Sequence, residues 1–472
     1  MNADKTKNSA EIRRRDFLKA ALAGPALAGP LLHAAGTTPN IVMILCDDLG
    51  YGDLGSYGSQ IRTPNLDRMA AEGVRFTNFN SADPVCSPSR AALLTGRYPT
   101  RVGVPAVLNA QDQGGLNRDE TTLADVLKAR NYRTMCVGKW HLGRPAEYLP
   151  TRRGFDEYFG IPYSNDMNPR VLMHNAEVIE NPVALDTLTP RYTEQAVRFL
   201  KESKDAPFFL YLPHTYPHIP LAASARFRGK SPLGLYGDVV EELDWSVGEI
   251  LAALKQNGQE QNTLVMFSSD NGPWYQGSPG KLRGRKNGTF EGGVREPFIA
   301  RWPGRIPKGR VCQGLASMMD IFPTVTKLVG GELPAKPLDG IDMWPLLSGQ
   351  KTAIEREALL YFDRWDLQCA RWNNWKLHLQ RHNSAPYTAA PVGGRRSFVL
   401  PHPELYDLAK DPDESYDVAA ANPQIVAQIA GRVRELIKGF PGEVQKAWAD
   451  AEALKVIPDL PSGAWPRSPQ QN

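Results

Sequence analysis

The chain has 472 residues, 55 of them basic and 51 acidic, for a formal net charge of +4. That length accommodates one large domain plus a smaller one, and a hydrophobic content of 42% is ordinary for a globular protein. So small a positive excess, with no long basic run, gives no ground for a nucleic-acid partner.

The N-terminal segment reads as separate from the fold. Arg13-Arg14-Arg15-Asp16-Phe17-Leu18-Lys19 precedes an apolar Ala/Leu/Gly/Pro stretch ending near Ala35. Gly24, Pro25, Gly29 and Pro30 interrupt it, which argues against a transmembrane segment. Residues 1–36 resemble a twin-arginine signal peptide, which implies passage through the twin-arginine translocase and a periplasmic or secreted bacterial protein. The five cysteines, Cys46, Cys86, Cys136, Cys312 and Cys369, form no Cys-x-x-Cys pair, which argues against a zinc or redox motif.

Four apolar runs then end abruptly in polar residues. Asn40 to Cys46 ends in Asp47-Asp48, and Tyr132 to Val137 ends in Gly138-Lys139-Trp140-His141. Phe208 to Leu212 leads to His214 and His218, and Thr263 to Ser268 leads to Asp270-Asn271. Continuous apolar runs of this length suit buried parallel strands. Helical patterns alternate with them, at Asn65 to Glu72, Leu123 to Arg130, Thr189 to Lys201 and Asp238 to Gln256. The alternation predicts an α/β fold built on a doubly wound sheet flanked by helices. Ligands of such sheets bind at the carboxyl ends of the strands, where all four polar clusters fall.

Cys86 lies just before Pro88, Arg90 and the apolar run Ala91-Ala92-Leu93-Leu94. Proline in a first helical turn costs no hydrogen bond, so this pattern places Cys86 at a helix start, where free N–H groups favour an anion. An inert buried thiol at a helix cap fits the same pattern. Asp47, Asp48, Asp270 and Asn271 offer only oxygen donors, which suit Ca²⁺ or Mg²⁺. A solvated turn is the other reading of Asp47-Asp48, and His214 with His218 keeps zinc open. Arg90, Lys139, His141, His218 and Lys286 would make the same strand edge a receptor for a tetrahedral oxyanion.

Cys86-Ser87-Pro88-Ser89-Arg90 followed by Leu94-Thr95-Gly96-Arg97 resembles the maturation signature of the sulfatase family. The resemblance covers most of residues 38 to 420. It includes Asp47-Asp48-Leu49-Gly50-Tyr51-Gly52-Asp53, Gly138-Lys139-Trp140-His141-Leu142-Gly143 and Gly288 to Pro297. Gly160-Ile161-Pro162-Tyr163-Ser164 makes it most similar to the arylsulfatase A and N-acetylgalactosamine-6-sulfatase branch. The resemblance implies an alkaline phosphatase-like mixed sheet and a sulfuric ester hydrolase acting on aryl or carbohydrate sulfates. It implies conversion of Cys86 to Cα-formylglycine (3-oxoalanine) by a formylglycine-generating enzyme, and a transient sulfate ester on that residue. A divalent cation, Ca²⁺ or else Mg²⁺, would be held by Asp47, Asp48, Asp270 and Asn271, with residue 86 against it. Arg90, Lys139 and Lys286 would neutralise the sulfate, His141 would serve the formylglycine diol, and His218 or Lys286 would protonate the leaving group. Ser164 and His402 would contact substrate.

The catalytic domain is expected over 37–348. A smaller α+β domain over 349–456 would carry antiparallel strands at Ala358 to Phe362, Ala370 to Leu379 and Glu404 to Leu408, a helix at Asn422 to Lys438, and then a tail over 457–472. Trp274, Tyr275, Trp365, Trp372 and His382 are either a pocket rim or ordinary core. Two other functions are compatible with parts of the pattern: a phosphate or phosphonate monoester hydrolase of the same fold, and a catalytically silent glycan-binding protein.

Overall fold

The computed structural model describes residues 38–382 and 396–454. The expected signal segment and the tail over 457–472 lie outside the described residues. The larger sheet contains β1 (Asn40–Cys46), β2 (Val74–Asn80), β3 (Arg133–Lys139), β4 (Glu157–Ile161), β5 (Leu172–His174) and β6 (Glu177–Glu180). It continues with β7 (Phe208–Pro213), β8 (Thr263–Ser269), β9 (Arg295–Arg301), β10 (Arg310–Cys312) and β11 (Ala316–Ser317). Their spatial order is β10-β2-β9-β8-β1-β7-β3-β4-β5-β6, with β11 also beside β2. Its helices are α1 (Pro64–Glu72), α2 (Cys86–Thr95), α3 (Leu123–Ala129), α4 (Leu188–Glu202), α5 (Gly234–Gln256), α6 (Glu291–Val294), α7 (Ile321–Leu328) and α8 (Trp344–Leu347).

The five central strands, β8-β1-β7-β3-β4, are all parallel. Both faces of β1 are covered, which explains its unbroken apolar sequence. Ile41, Met43 and Leu45 enter one core, and Val42, Ile44 and Cys46 enter the other. Helix α4 meets the second core through Leu188, Tyr192, Ala196, Phe199 and Leu200, a spacing that keeps one helical stripe inward. Helix α5 packs beside α4 on that face, and α2, α3 and α7 bury their apolar residues in the first core.

β9 runs antiparallel to both β8 and β2, so β2 points the same way as the central strands. Its carboxyl end therefore reaches the edge where β1, β3, β7 and β8 also end. The chain between β8 and β9 leaves that edge and returns to it. The six chain segments that carry Asp47-Asp48, Cys86, Lys139 with His141, His218, Asp270-Asn271 and Lys286 thus converge at one edge.

A second, antiparallel sheet holds β12 (Leu359–Asp363), β13 (Asp366–Trp372), β14 (Trp375–His382) and β15 (Ser397–Asp407). α9 (Pro423–Ile437) fits the expected helix, and α10 (Gly442–Ala453) is an addition. The strand expected at Ala370 to Leu379 is instead a hairpin, with Trp372 opposite Trp375. Asn373 has φ 53°, and an Asn-Asn pair supplies the left-handed turn that a two-residue hairpin loop requires. The second sheet shares the first core. The Leu360 amide donates to the Tyr98 hydroxyl at 2.9 Å, and the Tyr98 ring lies 5.9 Å from Phe362 and 5.3 Å from Phe440. Among the described residues no helix is long and apolar enough to cross a membrane.

Phe440 closes this junction, stacked also beneath the Arg101 guanidinium at 3.8 Å. Phe440→Ala should lower stability by about 3–5 kcal/mol, read as an earlier urea unfolding midpoint.

Candidate active site

Helix α2 starts at Cys86, and Pro88 sits in its first turn, where N–H groups lack helical partners. The helix ends at Gly96, whose φ of 69° lets its amide reach the Ala92 carbonyl. All ten residues of α2 are buried, so Cys86 faces the interior of the strand edge. The Cys86 sulfur and one carboxylate oxygen each of Asp47 and Asp270 lie within 4.8 Å of one another. Burial raises the Cys86 thiol above its ordinary pKa, and Lys139 and Lys286 offset this only in part. An unmodified thiol here is a poor source of thiolate.

Three buried carboxylates and three buried cations surround Cys86. Arg90 donates to Asp270 Oδ2 through Nε at 2.9 Å, with Nη2 at 2.8 Å, and Nη1 donates to the Lys139 carbonyl at 2.8 Å. Lys139 Nζ donates to Asp47 Oδ2 and, at 3.1 Å, to Ser164 Oγ. Lys286 Nζ lies 2.7 Å from Asp48 Oδ1, which also accepts from Asn271 Nδ2 at 2.8 Å. Burial pushes the Asp47 carboxyl up, but Lys139, His218, Arg90 and Lys286 together hold it well below the usual carboxylate range. Asp270 goes the other way, raised by burial and by the neighbouring Asp47 charge.

The two histidines have defined tautomers, because each donates to a carbonyl. His141 Nε2 donates to the Leu108 carbonyl at 2.8 Å, so Nδ1 carries the lone pair; it is buried without a hydrogen-bond partner among the described residues. His141 is held at φ 61° and Asp48 at φ 66°, a conformation that costs of order 1–3 kcal/mol each in non-glycine residues. His218 Nδ1 donates to the Ile219 carbonyl at 2.5 Å, leaving Nε2 3.7 Å from Asp48 Oδ2. Burial lowers the pKa of both rings. Lys139 and Arg90 add to this at His141, and Lys286 adds at His218.

The residues present fit a hard divalent cation. Asp47 Oδ1 and Asn271 Oδ1 are buried oxygens with no hydrogen-bond donor among the described residues, a costly state unless a cation meets them. The donors are carboxylate and amide oxygens, and His218 is the one histidine grouped with them among the described residues. His214 lies elsewhere: its Nε2 is 3.4 Å from Ser246 Oγ, and its ring faces Tyr192. This removes the histidine pair on which the zinc reading rested.

His402 is not brought to this cluster. It is exposed on β15, and its Nε2 lies 3.8 Å from Asp417. Of the expected aromatic rim, Trp274 lies beside Lys286, whose Nζ is 6.0 Å from its ring centroid. Trp365 and Trp372 pack against the first core.

An ionic network that the sequence reading did not assign holds the Lys286 loop. Glu291 accepts from Arg295 Nε at 2.6 Å, Arg371 Nη1 at 3.0 Å and Lys376 Nζ at 2.9 Å. The Glu291 amide donates to Glu414, which also pairs with His378 Nε2 at 2.7 Å. Burial raises the Glu291 carboxyl, but Arg295, Arg371 and Lys376 outweigh this and hold it below its usual range. The available signal was Lys376-Leu377-His378-Leu379, a strand in which polar residues alternate with apolar ones. Here the polar face is buried as well.

A mixed sheet whose parallel centre gathers buried carboxylates and cations around a helix-start residue is of the alkaline phosphatase-like class, with a site suited to a cation and an oxyanion. Comparison with known proteins narrows the class. The family model described as Sulfatase matches residues 39–331, and that of the C-terminal region of aryl-sulfatase matches residues 354–461. Human arylsulfatase A is 40% identical over 87% of this chain and 89% of its own. N-acetylgalactosamine-6-sulfatase of Canis lupus familiaris is 38% identical over 90% of this chain and 92% of its own. A Bacteroides thetaiotaomicron sulfatase structure, described with the metabolism of multiple glycosaminoglycans, superposes with TM-score 0.76. It is 29% identical and covers 85% of this chain and 99% of its own. The chain belongs to the sulfatase family and is a sulfuric ester hydrolase. These matches favour neither the phosphohydrolase nor the silent glycan-binding alternative.

Two outcomes follow from the buried charges. Glu291→Gln leaves three buried cations short of one anion and should destabilise the protein by about 3–5 kcal/mol, measured by urea unfolding. His214, pushed down to about 3 by burial, is neutral when folded and has an ordinary pKa when unfolded. Its contribution is complete above about pH 6.5 and is lost at about 1.4 kcal/mol per pH unit as pH falls, because the unfolded state binds the extra proton. Unfolding midpoints at pH 7.5 and 5.5 should therefore converge in His214→Gln relative to the parent.

Proposed function

We propose that the protein hydrolyses sulfate monoesters with Cys86 converted to formylglycine, whose hydrated aldehyde takes the sulfuryl group as a transient ester. The observation that carries this reading is the placement of Cys86 at the start of α2, against Asp47 and Asp270, in a site that keeps its thiol protonated. An aldehyde hydrate supplies two hydroxyls, one to receive sulfate and one whose deprotonation expels it; a serine or thiol has no equivalent of the second.

Asp47, Asp48, Asp270 and Asn271 would hold the cation, Ca²⁺ or Mg²⁺, which when bound supplies Lewis-acid stabilisation of developing negative charge. Arg90 acts mainly by orienting Asp270, since its Nε and Nη2 both engage that carboxylate. Lys139 and Lys286 face Asp47 and Asp48 and supply the positive charge that a sulfate needs. Ser164, fixed by Lys139, offers a hydroxyl beside that charge. His141 Nδ1, with its lone pair and no partner among the described residues, is the base for the second hydroxyl. Burial disfavours the charged His218 ring, and Lys286 adds to this. An incoming sulfate would offset the surrounding cations, raise the ring's proton affinity and fit His218 to protonate the leaving oxygen. The proposed export as a folded periplasmic protein fits a maturation that must precede burial of Cys86.

The tryptic peptide Phe76 to Arg90, from protein made with a formylglycine-generating enzyme, should carry the mass of the aldehyde or its hydrate. An unmodified peptide, beside a fully converted control sulfatase, overturns the reading. Cys86→Ala should lower sulfate-ester kcat/KM by at least about 10⁴-fold. Asp47→Asn should abolish calorimetric Ca²⁺ binding, and chelation should remove activity that Ca²⁺ or Mg²⁺ restores. Phosphate esters of the same alcohols, assayed side by side, should be cleaved more slowly than the sulfates.

A further inference from the structure

A cavity of about 510 Å³ opens beside the cluster. Three of its wall segments each adjoin a residue of the site. Asp83, Pro84 and Val85 run directly into Cys86, Asn287 follows Lys286, and Asn109 follows Leu108, whose carbonyl holds His141. These segments are also tied to one another. The Asn287 amide donates to the Pro84 carbonyl at 2.9 Å, and the Leu108 amide donates to Ser87 Oγ at 3.1 Å. The opposite wall comes from the second sheet, through Phe362, Asp363, Arg364 and Asp366 at the β12–β13 turn and Ser397 on β15. A sulfate at the cluster would therefore direct its alcohol into this space.

The wall chemistry suits hydroxyl groups. Asp83 is 4% exposed. Its Oδ1 accepts from the Val85 amide at 3.2 Å, while its second carboxylate oxygen has no hydrogen-bond partner among the described residues. Asp363 faces it across the cavity rim and is held in place: its Oδ2 accepts from Ser397 Oγ at 2.9 Å, and Ser397 accepts from Gln368 at 2.7 Å. Among the described residues Phe362 is the sole phenyl, phenol or indole ring in the wall. It is 2% exposed and packs against Tyr98 and Phe440, so it presents no ring face for stacking. An aryl or steryl group entering here would strip water from Asp83 and Asp363 and return no donor. A sugar would replace that water with hydroxyls.

We infer that this cavity is the leaving-alcohol subsite, and that Asp83 and Asp363 select a hydroxylated glycosyl sulfate over an apolar aryl or steryl sulfate. The inference rests on Cys86 being the reacting residue. The test uses full-length protein with Cys86 conversion verified by mass. Its probes are 4-nitrophenyl sulfate, oestrone sulfate, and a panel of mono-O-sulfated galactose, glucose and N-acetylgalactosamine.

The parent should prefer at least one sugar sulfate by kcat/KM. Asp83→Ala and Asp363→Ala should each lower the glycosyl-to-aryl ratio by about 10–100-fold, and Asp83→Asn, which keeps an acceptor oxygen, should lower it less. The desulfated sugar of the best substrate should inhibit 4-nitrophenyl sulfate cleavage competitively in the parent, with an inhibition constant at least about tenfold weaker in Asp83→Ala. This inhibition in the parent tests the subsite even if a variant fails to fold. Preference for the aryl or steryl sulfate over every sugar, or a ratio unchanged in folded variants, overturns the inference and leaves the sulfatase reading standing. Cleavage of none of the probes by fully converted protein overturns the assignment of Cys86, and this inference with it.

Discussion

The structure depends on a charge balance that no single strand could sustain. Asp47, Asp48 and Asp270 are buried within a few ångströms of one another, and uncompensated carboxylates at such spacing would take up protons. Arg90, Lys139 and Lys286 supply the compensation, the first two buried as deeply as their partners and Lys286 nearly so. The same cations disfavour protonation of His141 and His218. Two orphan oxygens, on Asp47 and Asn271, show that the balance still leaves room for a cation. A cluster that pairs three carboxylates with three cations, yet leaves oxygens without donors among the described residues, is suited to a metal and an anion bound together.

Topology makes that balance affordable. The parallel strands β1, β3, β7 and β8 deliver carboxylates, lysine and histidines at one edge because their interiors are apolar on both faces and can end only at a rim. β9 then reverses the direction of travel. It brings β2, and with it Cys86, to the same rim, and it returns the long β8–β9 connection that carries Lys286. Glu291 and Glu414 anchor that connection to the second sheet through Lys376, Arg371 and His378. A lysine on a loop gains a fixed position only when the loop is tied down, and here the tie is a buried ionic network rather than apolar packing.

What was legible in the sequence follows from how local each signal is. A buried parallel strand announces itself as an apolar run with a polar end, so the positions of Asp47, Lys139, His218 and Asp270 could be read directly. The helix start at Cys86 was visible through Pro88 and the apolar run behind it. The hairpin at Asn373-Asn374 was also local, but a continuous reading of the apolar residues around it concealed the turn. Other features depend on pairings between distant segments. Glu291 meets Lys376 across 85 positions and Asp83 approaches a wall made by β12 and β13, so neither role is encoded near the residue itself. His402 marks a limit of spacing: it lies on an exposed stretch of β15 where the register with β14 shifts, and such a shift changes the face a side chain takes.

The two sheets divide the work in a way that permits separate change. No residue of the cavity wall contributed by the second sheet takes part in the described ion pairs of Asp47, Asp48 or Asp270. Substitutions at the β12–β13 turn can therefore alter what is bound beyond the sulfate without disturbing the charges around it. The converse does not hold. Replacing Arg90 or Lys286 would leave Asp270 or Asp48 buried without its cation, a change felt in folding as much as in chemistry. The first sheet is thus constrained where its rim carries these paired charges, whereas Lys376 of the second sheet is constrained by the pairs with Glu291 and Glu414 that tie down the Lys286 loop, and the β12–β13 turn lies outside both sets of pairs.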